Sequence, residues 1–389
     1  AGAGRGRRAG SEPKTKGAYM QAATNSYPPG RVVSLDALRG FDMFWIIGAD
    51  AFFRALFQII DTPWARVLSG QLEHSSWHGF TFYDLIFPLF LFIVGSALPF
   101  SISKRLQRGD RPADLYRHIL YRTLILFLLG LVYNHILLFE FENFRWTGVL
   151  QRIAVCYGVA ALIYMRTGIR GQVAAAVGIL LGYWALLMLV PVPGYGAGVL
   201  TPEGNLCGYI DRLLLPGRFC CYRFGDNEGI LSTLPAVATV LLGGFAGHLL
   251  RSGLSGTRKT LWLLAAGAAG VAAGLAWNLV FPINKLIWTS SYAVYAAGWS
   301  YLLLGVFYWI IDVRRYRRWA FFFIVIGLNP LTIYVLQSIF DFGCIARIFV
   351  EGIVNHLELY RDVVWLASVF AVKWLLLYFL FRKKIFLKV

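Results

Sequence analysis

Apolar residues run along this chain in blocks of about 20, separated by short polar connections. Coiled as α-helix, a block of that length matches the hydrocarbon thickness of a bilayer. The pattern predicts about ten membrane spans, near 37–60, 83–102, 118–138, 148–165, 172–192, 229–250, 259–280, 291–312, 319–340 and 362–381. It is most diluted over 283–300, where Asn284, Lys285 and several hydroxyls interrupt it. A transmembrane β-barrel would instead show alternating segments of about ten residues. The fold class read from the pattern is an all-α polytopic membrane protein, with one transmembrane domain over 31–389.

The longest connection, 193–228, combines Pro193, Gly194, Gly196, Gly198, Pro202 and Gly204 with aromatics and the apolar run Leu213-Leu214-Leu215. Loops longer than about 15 residues are usually functional or disordered, and this composition predicts a compact cap over the outer face. No repeat of 20–50 residues is evident, so the sequence gives no support for the inverted repeats of many transporters.

Of the 389 residues 58% are hydrophobic and 15% charged, against roughly 25% charged in soluble domains. The net charge of +17 could suggest nucleic acid, but its distribution indicates topology instead. Basic residues cluster at Arg5 to Arg31, Lys104 to Arg117, Arg166 and Arg170, Arg251 to Lys259, Arg314 to Arg318 and Arg382 to Lys388, which are alternate connections. The other set is poorer in Lys and Arg and carries Glu140, Glu142, Asp226, Glu228 and Glu351. The positive-inside rule then places both termini in the cytosol and His74 outside. No nucleic-acid partner is expected.

Residues 1–30 are polar and lack the apolar core of a signal peptide; a disordered basic tail or an expression remnant is expected there. Cys207, Cys220 and Cys221 share the long outer loop, where a disulfide is permitted and one thiol is left over. Their spacing with the scattered histidines predicts no metal site.

Ionisable groups within a membrane are costly and by default mark function. Arg39 and Asp50 stand eleven residues apart in the first span. On a continuous helix they fall within about 20° of one face, about 16 Å apart in rise, and would line one internal path. Alternatively Asp36 and Asp42, each three residues from Arg39, neutralise it locally. Asp50 is expected to lack a cation one turn away on its own helix, which favours a functional role. Arg122 is expected about a turn into the third span from the inner side, and Gln151 and Arg152 about a turn into the fourth from the outer side. With Asn329 they read as the lining of a polar cavity. Asn329-Pro330 reads equally as a kink whose neighbours re-satisfy the backbone.

The segment Glu73-His74-Ser75-Ser76-Trp77-His78-Gly79, followed by Asp84-Leu85-Ile86-Phe87-Pro88, sets an imidazole and a carboxylate at the mouth of a span. Imidazole is the natural general base near neutral pH, and Trp77 suits the membrane interface. The plain alternatives are a solvated surface histidine and an Asp84 that only caps its helix. His78 is a weaker candidate, without a carboxylate pattern of its own.

These residues are similar to those of a known family. Ser34-x-Asp36-x-x-Arg39-Gly40, His74-x-x-Trp77-x-Gly79, Asp84-Leu85-x-Phe87-Pro88, Gly148-Val149-Leu150-Gln151-Arg152, Gly208-Tyr209-Ile210-Asp211-Arg212, Asp226-x-Glu228-Gly229 and Asn284-Lys285-x-x-Trp288-x-x-Ser291-Tyr292 follow one another in that order. In this respect the chain resembles the heparan-α-glucosaminide N-acetyltransferase family of transmembrane acyltransferases. The resemblance implies transfer of acetyl from cytosolic acetyl-CoA to the amine of a glucosamine on the opposite side of the membrane. It puts the family's active-site histidine on His74 and suggests a homodimer. Asp50 stands where the lysosomal member has asparagine. The expected membrane is the bacterial cytoplasmic membrane, or the lysosomal membrane in a eukaryote.

On this reading Arg39 and Arg122 clamp the phosphates of acetyl-CoA, His74 is the base, and Asp50 or Asp84 orients it. Gln151, Arg152 or Asn329 then stabilises the oxyanion. Two rivals use the same residues. One is an O-acyltransferase acting on exported glycans. The other is a proton- or solute-coupled transporter whose route is lined by Asp50, Arg39 and His74.

Overall fold

A computed structural model describes residues 31–387; the tail expected over 1–30 lies outside the described residues. The membrane helices begin with α1 (Val33–Phe44), a π-helical turn (Trp45–Ala49) and α2 (Asp50–Ile60), followed by the short α3 (Pro63–Gln71). Next come α4 (Ile86–Gln107), entered through a 3-10 turn (Phe82–Leu85), then α5 (Pro112–Tyr133), α6 (Val149–Arg166) and α7 (Ile169–Leu189). The long connection holds α8 (Leu206–Leu214) and a hairpin of β1 (Cys221–Tyr222) and β2 (Gly225–Asp226). The chain continues with α9 (Thr233–Arg251), α10 (Gly256–Asn278), α11 (Ser290–Tyr308), α12 (Phe321–Gly327), α13 (Pro330–Ile339), α14 (Phe342–Val354) and α15 (Arg361–Arg382). Among the described residues nine helical segments are long and apolar enough to span a membrane, and the bent pair α12–α13 makes a tenth. The protein is an all-α polytopic membrane protein.

Two boundaries differ from the sequence reading. The third span starts at Pro112, whose fixed φ suits a first helical position. Arg122 therefore stands ten residues in, not one turn. The first span is not a continuous α-helix. Gly48 has φ 123°, a conformation open to glycine alone without strain, and it breaks the helix between Arg39 and Asp50. The expected common face, computed for an unbroken helix, does not carry across it. Beside the break, Lys373 of α15 donates to the Ile47 carbonyl at 2.8 Å.

The α12–α13 pair bends by 67° at Asn329-Pro330. Asn329 is fully buried, donates to the Ile385 carbonyl at 3.0 Å and accepts from the Leu387 amide at 3.1 Å. Both atoms of its amide group thus tie the chain's last described residues to the bend. Packing of α1 on α12 is backbone against backbone: a Cβ on Gly40 would fall 1.7 Å from the Phe323 carbonyl oxygen, and one on Gly327 2.0 Å from that of Asp36. Small residues are what permit such an approach between membrane helices, and here they set Arg39 against the bent span.

The 193–228 segment folds over one end of the bundle. Asn205 caps α8, accepting from the Gly208 amide at 2.8 Å. Leu206 and Cys207 pack with Tyr183, Phe281 and Ile287 in a core that Trp77 joins. Cys220 and Cys221 are bonded to each other, leaving Cys207 free and buried.

Candidate active site

His74 lies in the connection between α3 and α4, which is pinned from three sides. The Gly79 amide donates to the Ile283 carbonyl at 2.9 Å. The Trp77 indole donates to the Leu200 carbonyl at 2.8 Å and its ring meets Tyr222. Asn284 sits 3.3 Å from His78. The segment carrying the histidine is therefore braced by the 193–228 connection and by the connection over 279–289.

Asp84 is fully buried and holds the imidazole. Its Oδ2 accepts from the Ser75 amide, the Thr81 amide and the Thr81 hydroxyl, each at 3.2 Å. Its Oδ1 faces His74 Nδ1 at 2.8 Å and Lys285 Nζ at 3.3 Å. A carboxylate loaded with donors on both oxygens is an acceptor throughout. His74 Nδ1 therefore carries the proton, and the Nε2 lone pair points away from Asp84, with Lys285 Nζ 3.3 Å from it. One side chain does both things the sequence offered as alternatives: it caps the 3-10 turn and it orients the histidine. The His74 side chain is 53% exposed, open to an incoming molecule.

Lys285 completes the cluster. Its Nζ lies 3.0 Å from His74 Nδ1 and 3.3 Å from Nε2. Burial holds its ammonium below the ordinary lysine range, against the opposing pull of Asp84. Sequence spacing assigns this lysine no role, because its partners are more than 200 residues away. Nothing in the sequence pattern singles out Tyr83 either. Its ring packs on His74 with centroids 4.8 Å apart, and it lies within electrostatic reach of Asp50. The expectation that Asp50 has no cation a turn away is corrected: Arg54, four residues on, pairs with it at 3.2 Å.

Arg39 and Arg122 meet at the other end of the bundle. With Arg31 they line a cavity of about 360 Å³ whose walls include Phe90, Leu150, Ile153, Leu331 and Ser101. Asp36 pairs with both Arg31 (2.6 Å) and Arg39 (3.3 Å). Arg122 lies over the Tyr157 ring at 4.6 Å, and its buried Nε has no partner. Among the described residues the cavity gathers three guanidinium groups, and Arg122 keeps a donor in reserve. Such a site suits phosphate. A smaller apolar void lined by Met43, Ile46, Phe87, Val149 and Tyr334 shares Phe90, Leu150, Ile153, Pro330 and Leu331 with it. Phe87 is one helical turn from Asp84. Along the Phe82–Gln107 span, Asp84 and Ser101 are seventeen residues apart, about 25 Å of rise. The basic cavity and the histidine cluster therefore occupy opposite ends of one span.

The remaining candidates lie elsewhere. Gln151 is buried beside Gly130 and Gly148 and donates to the Trp146 carbonyl at 3.4 Å. Arg152 is buried under the Trp288 ring at 5.0 Å and donates to Ser232 and to the Gly229 carbonyl, with Nε and Nη1 unpartnered. Near it, Arg145 grips Asp226 through two bonds of 2.8 and 2.6 Å and also binds Glu228. Burial would weaken this guanidinium, but the two carboxylates outweigh it and hold it charged.

One membrane span thus carries a basic pocket towards one end and a histidine–carboxylate pair at the other. Residues 31–281 match the family model described as heparan-alpha-glucosaminide N-acetyltransferase, catalytic, and the chain belongs to that family. The human heparan-alpha-glucosaminide N-acetyltransferase is 29% identical over 418 residues, covering 93% of this chain and 60% of the human protein. The mouse protein of the same name is 29% identical over 378 residues, covering 82% and 56% respectively. The chain thus spans about three fifths of the length of these relatives.

Proposed function

We propose that this protein transfers an acetyl group from acetyl-CoA to the amine of a glucosamine-type sugar, with donor and acceptor entering from opposite faces of the membrane. The observation that carries the reading is the placing of Arg31, Arg39 and Arg122 around one cavity while His74 and Asp84 stand at the other end of the same span. The arginines would hold the phosphates of CoA at the cytosolic face. The apolar continuation past Phe90 towards Phe87 suits the thin pantetheine arm and leads the thioester towards Asp84. Acetyl-CoA supplies the activated acyl group.

His74 Nε2 takes the proton of the attacking amine, and Asp84 fixes the ring in the tautomer that allows it. Lys285 offers its ammonium beside the ring, and Asp50 steadies Tyr83 against the ring's face. Arg152, with two unpartnered nitrogens, is the best placed of the candidates to answer negative charge. Asn329 contributes at a distance, by holding the bend that forms one wall of the cavity. Transfer is taken to be direct, between bound donor and acceptor, with His74 acting as base. The acceptor side is the periplasm in a bacterial cytoplasmic membrane, or the lumen in a lysosomal one.

His74→Ala tests the assignment. Transfer is expected to vanish while acetyl-CoA binding, measured by titration, stays near that of the unmodified protein. Wild-type turnover in this variant would remove His74 from the reaction.

A further inference from the structure

His78 stands on the same exposed connection as His74 and has no part in the reaction above. Its sequence neighbours offer it no carboxylate, but the fold gives it an amide. Asn284 Nδ2 lies 3.3 Å from His78 Nδ1. That amide cannot be turned round, because its Oδ1 accepts from the Ile287 backbone amide at 3.1 Å. Nδ2 is then the end that faces the ring, and an amide nitrogen only donates. His78 Nδ1 therefore accepts, and the ring proton sits on Nε2. Partial burial holds this imidazole below the ordinary histidine range, which keeps it neutral at neutral pH. The residue is exposed, and among the described residues no group engages its Nε2.

His74 is held in the opposite tautomer, for Asp84 keeps its proton on Nδ1 and the lone pair is on Nε2. Both rings are drawn to one short stretch of chain. The Ile283 carbonyl accepts from the Gly79 amide at 2.9 Å, Asn284 reaches His78, and Lys285 Nζ reaches His74 at 3.0 Å. Consecutive Cα atoms are about 3.8 Å apart, so the two residues that engage the imidazoles are immediate neighbours. The outer face therefore presents, from one loop, a ring nitrogen able to take a proton and another able to give a hydrogen bond.

Resting on the N-acetyltransferase reading above, we propose that His78 binds the acceptor, its Nε2–H donating to a ring hydroxyl of the sugar whose amine His74 deprotonates. An amino sugar carries its amine and its hydroxyls on neighbouring carbons of one stiff ring. Two fixed points, one accepting and one donating, then set the orientation of that ring, whereas a simple amine meets His74 alone. The hydroxyl keeps its proton and no bond to it changes during transfer. The contact is made equally in the ground state and the transition state, so its worth belongs in KM and not in kcat.

Glucosamine and its 1-, 3- and 4-deoxy analogues, each short of one ring hydroxyl, read the contact. His78→Phe keeps a flat ring and removes the donor. Its KM for glucosamine should rise about tenfold, with kcat within about threefold and acetyl-CoA affinity within about twofold of wild type. For one of the three analogues, variant and wild type should share the same KM, because the hydroxyl that His78 would meet is missing. His78→Gln, which can accept from Asn284 and still donate outward, should recover most of the loss. Should His78→Phe fail to fold, the wild type decides alone: its KM for that one analogue should lie about tenfold above that for glucosamine. An unchanged KM for glucosamine in the variant, equal losses with all four acceptors, or a wild type that treats all four alike would overturn the assignment. If the wild-type protein moves acetyl from acetyl-CoA to none of them, the reading beneath fails as well, and that control separates the two failures.

Discussion

Phe87 and Asp84 stand one turn apart on a single helix, and each belongs to a different half of the site. Phe87 walls the apolar end of the inner cavity, while Asp84 holds His74 at the opposite face. The two halves are therefore separated by a single turn of backbone, held in place by the Tyr292 hydroxyl, which donates to the Asp84 carbonyl at 2.7 Å.

Asp84→Asn should lower turnover by about 10²–10⁴-fold with little change in acetyl-CoA affinity. The amide can donate to Nδ1 and so reverse the tautomer, moving the proton to Nε2 where the base is needed. Steady-state kinetics with a parallel binding titration checks this. Loss of binding with unchanged turnover would point to a purely structural carboxylate.

Arg39→Ala and Arg122→Ala should each weaken acetyl-CoA binding by about 10–100-fold, the worth of one charged hydrogen bond of about 1.5–3 kcal/mol. Desulfo analogues that keep the phosphates should lose affinity equally, because the arginines lie far from the reacting carbon. Titration of both variants with CoA and its dephosphorylated forms makes the measurement.

Asp211, in the segment packed over the histidine face, has its carboxyl pushed up to about 6 by burial, in spite of the amides of Ile230 and Asp226 that it accepts. The ordinary value is about 3.9, so between about pH 4 and 6 the folded state binds more protons than the unfolded one. This group's contribution to stability is full below that range and is lost as pH rises through it. Asp211→Asn should flatten that limb of a plot of Tm against pH in detergent. A variant curve parallel to the wild type would contradict the assignment.

Much of the fold was legible because spans of about 20 apolar residues leave few alternatives. The ten-span reading, the bend at Asn329-Pro330 and the pairing of His74 with Asp84 follow from pattern and proximity in sequence. What failed has identifiable causes. The shared face of Arg39 and Asp50 assumed a regular helix, and Gly48, one glycine among 40, gave no sign of its positive φ. Arg54, four residues from Asp50, is the cation whose absence a turn away was expected, and it pairs with that carboxylate. Lys285 joins His74 across 211 residues of sequence, a distance over which spacing says nothing. Asn329 looked like a cavity residue, yet its amide is committed to Ile385 and Leu387, a contact that only the folded chain reveals.

The central claim is that one acetyl group crosses the bilayer between separately supplied partners. Sealed vesicles containing the purified protein and loaded with acetyl-labelled acetyl-CoA, with glucosamine added outside, test it most directly. The account predicts labelled N-acetylglucosamine in the outer medium, in equal amount to CoA retained within, and none from vesicles carrying His74→Ala. Label that stays inside, or glucosamine that enters unmodified, would contradict it.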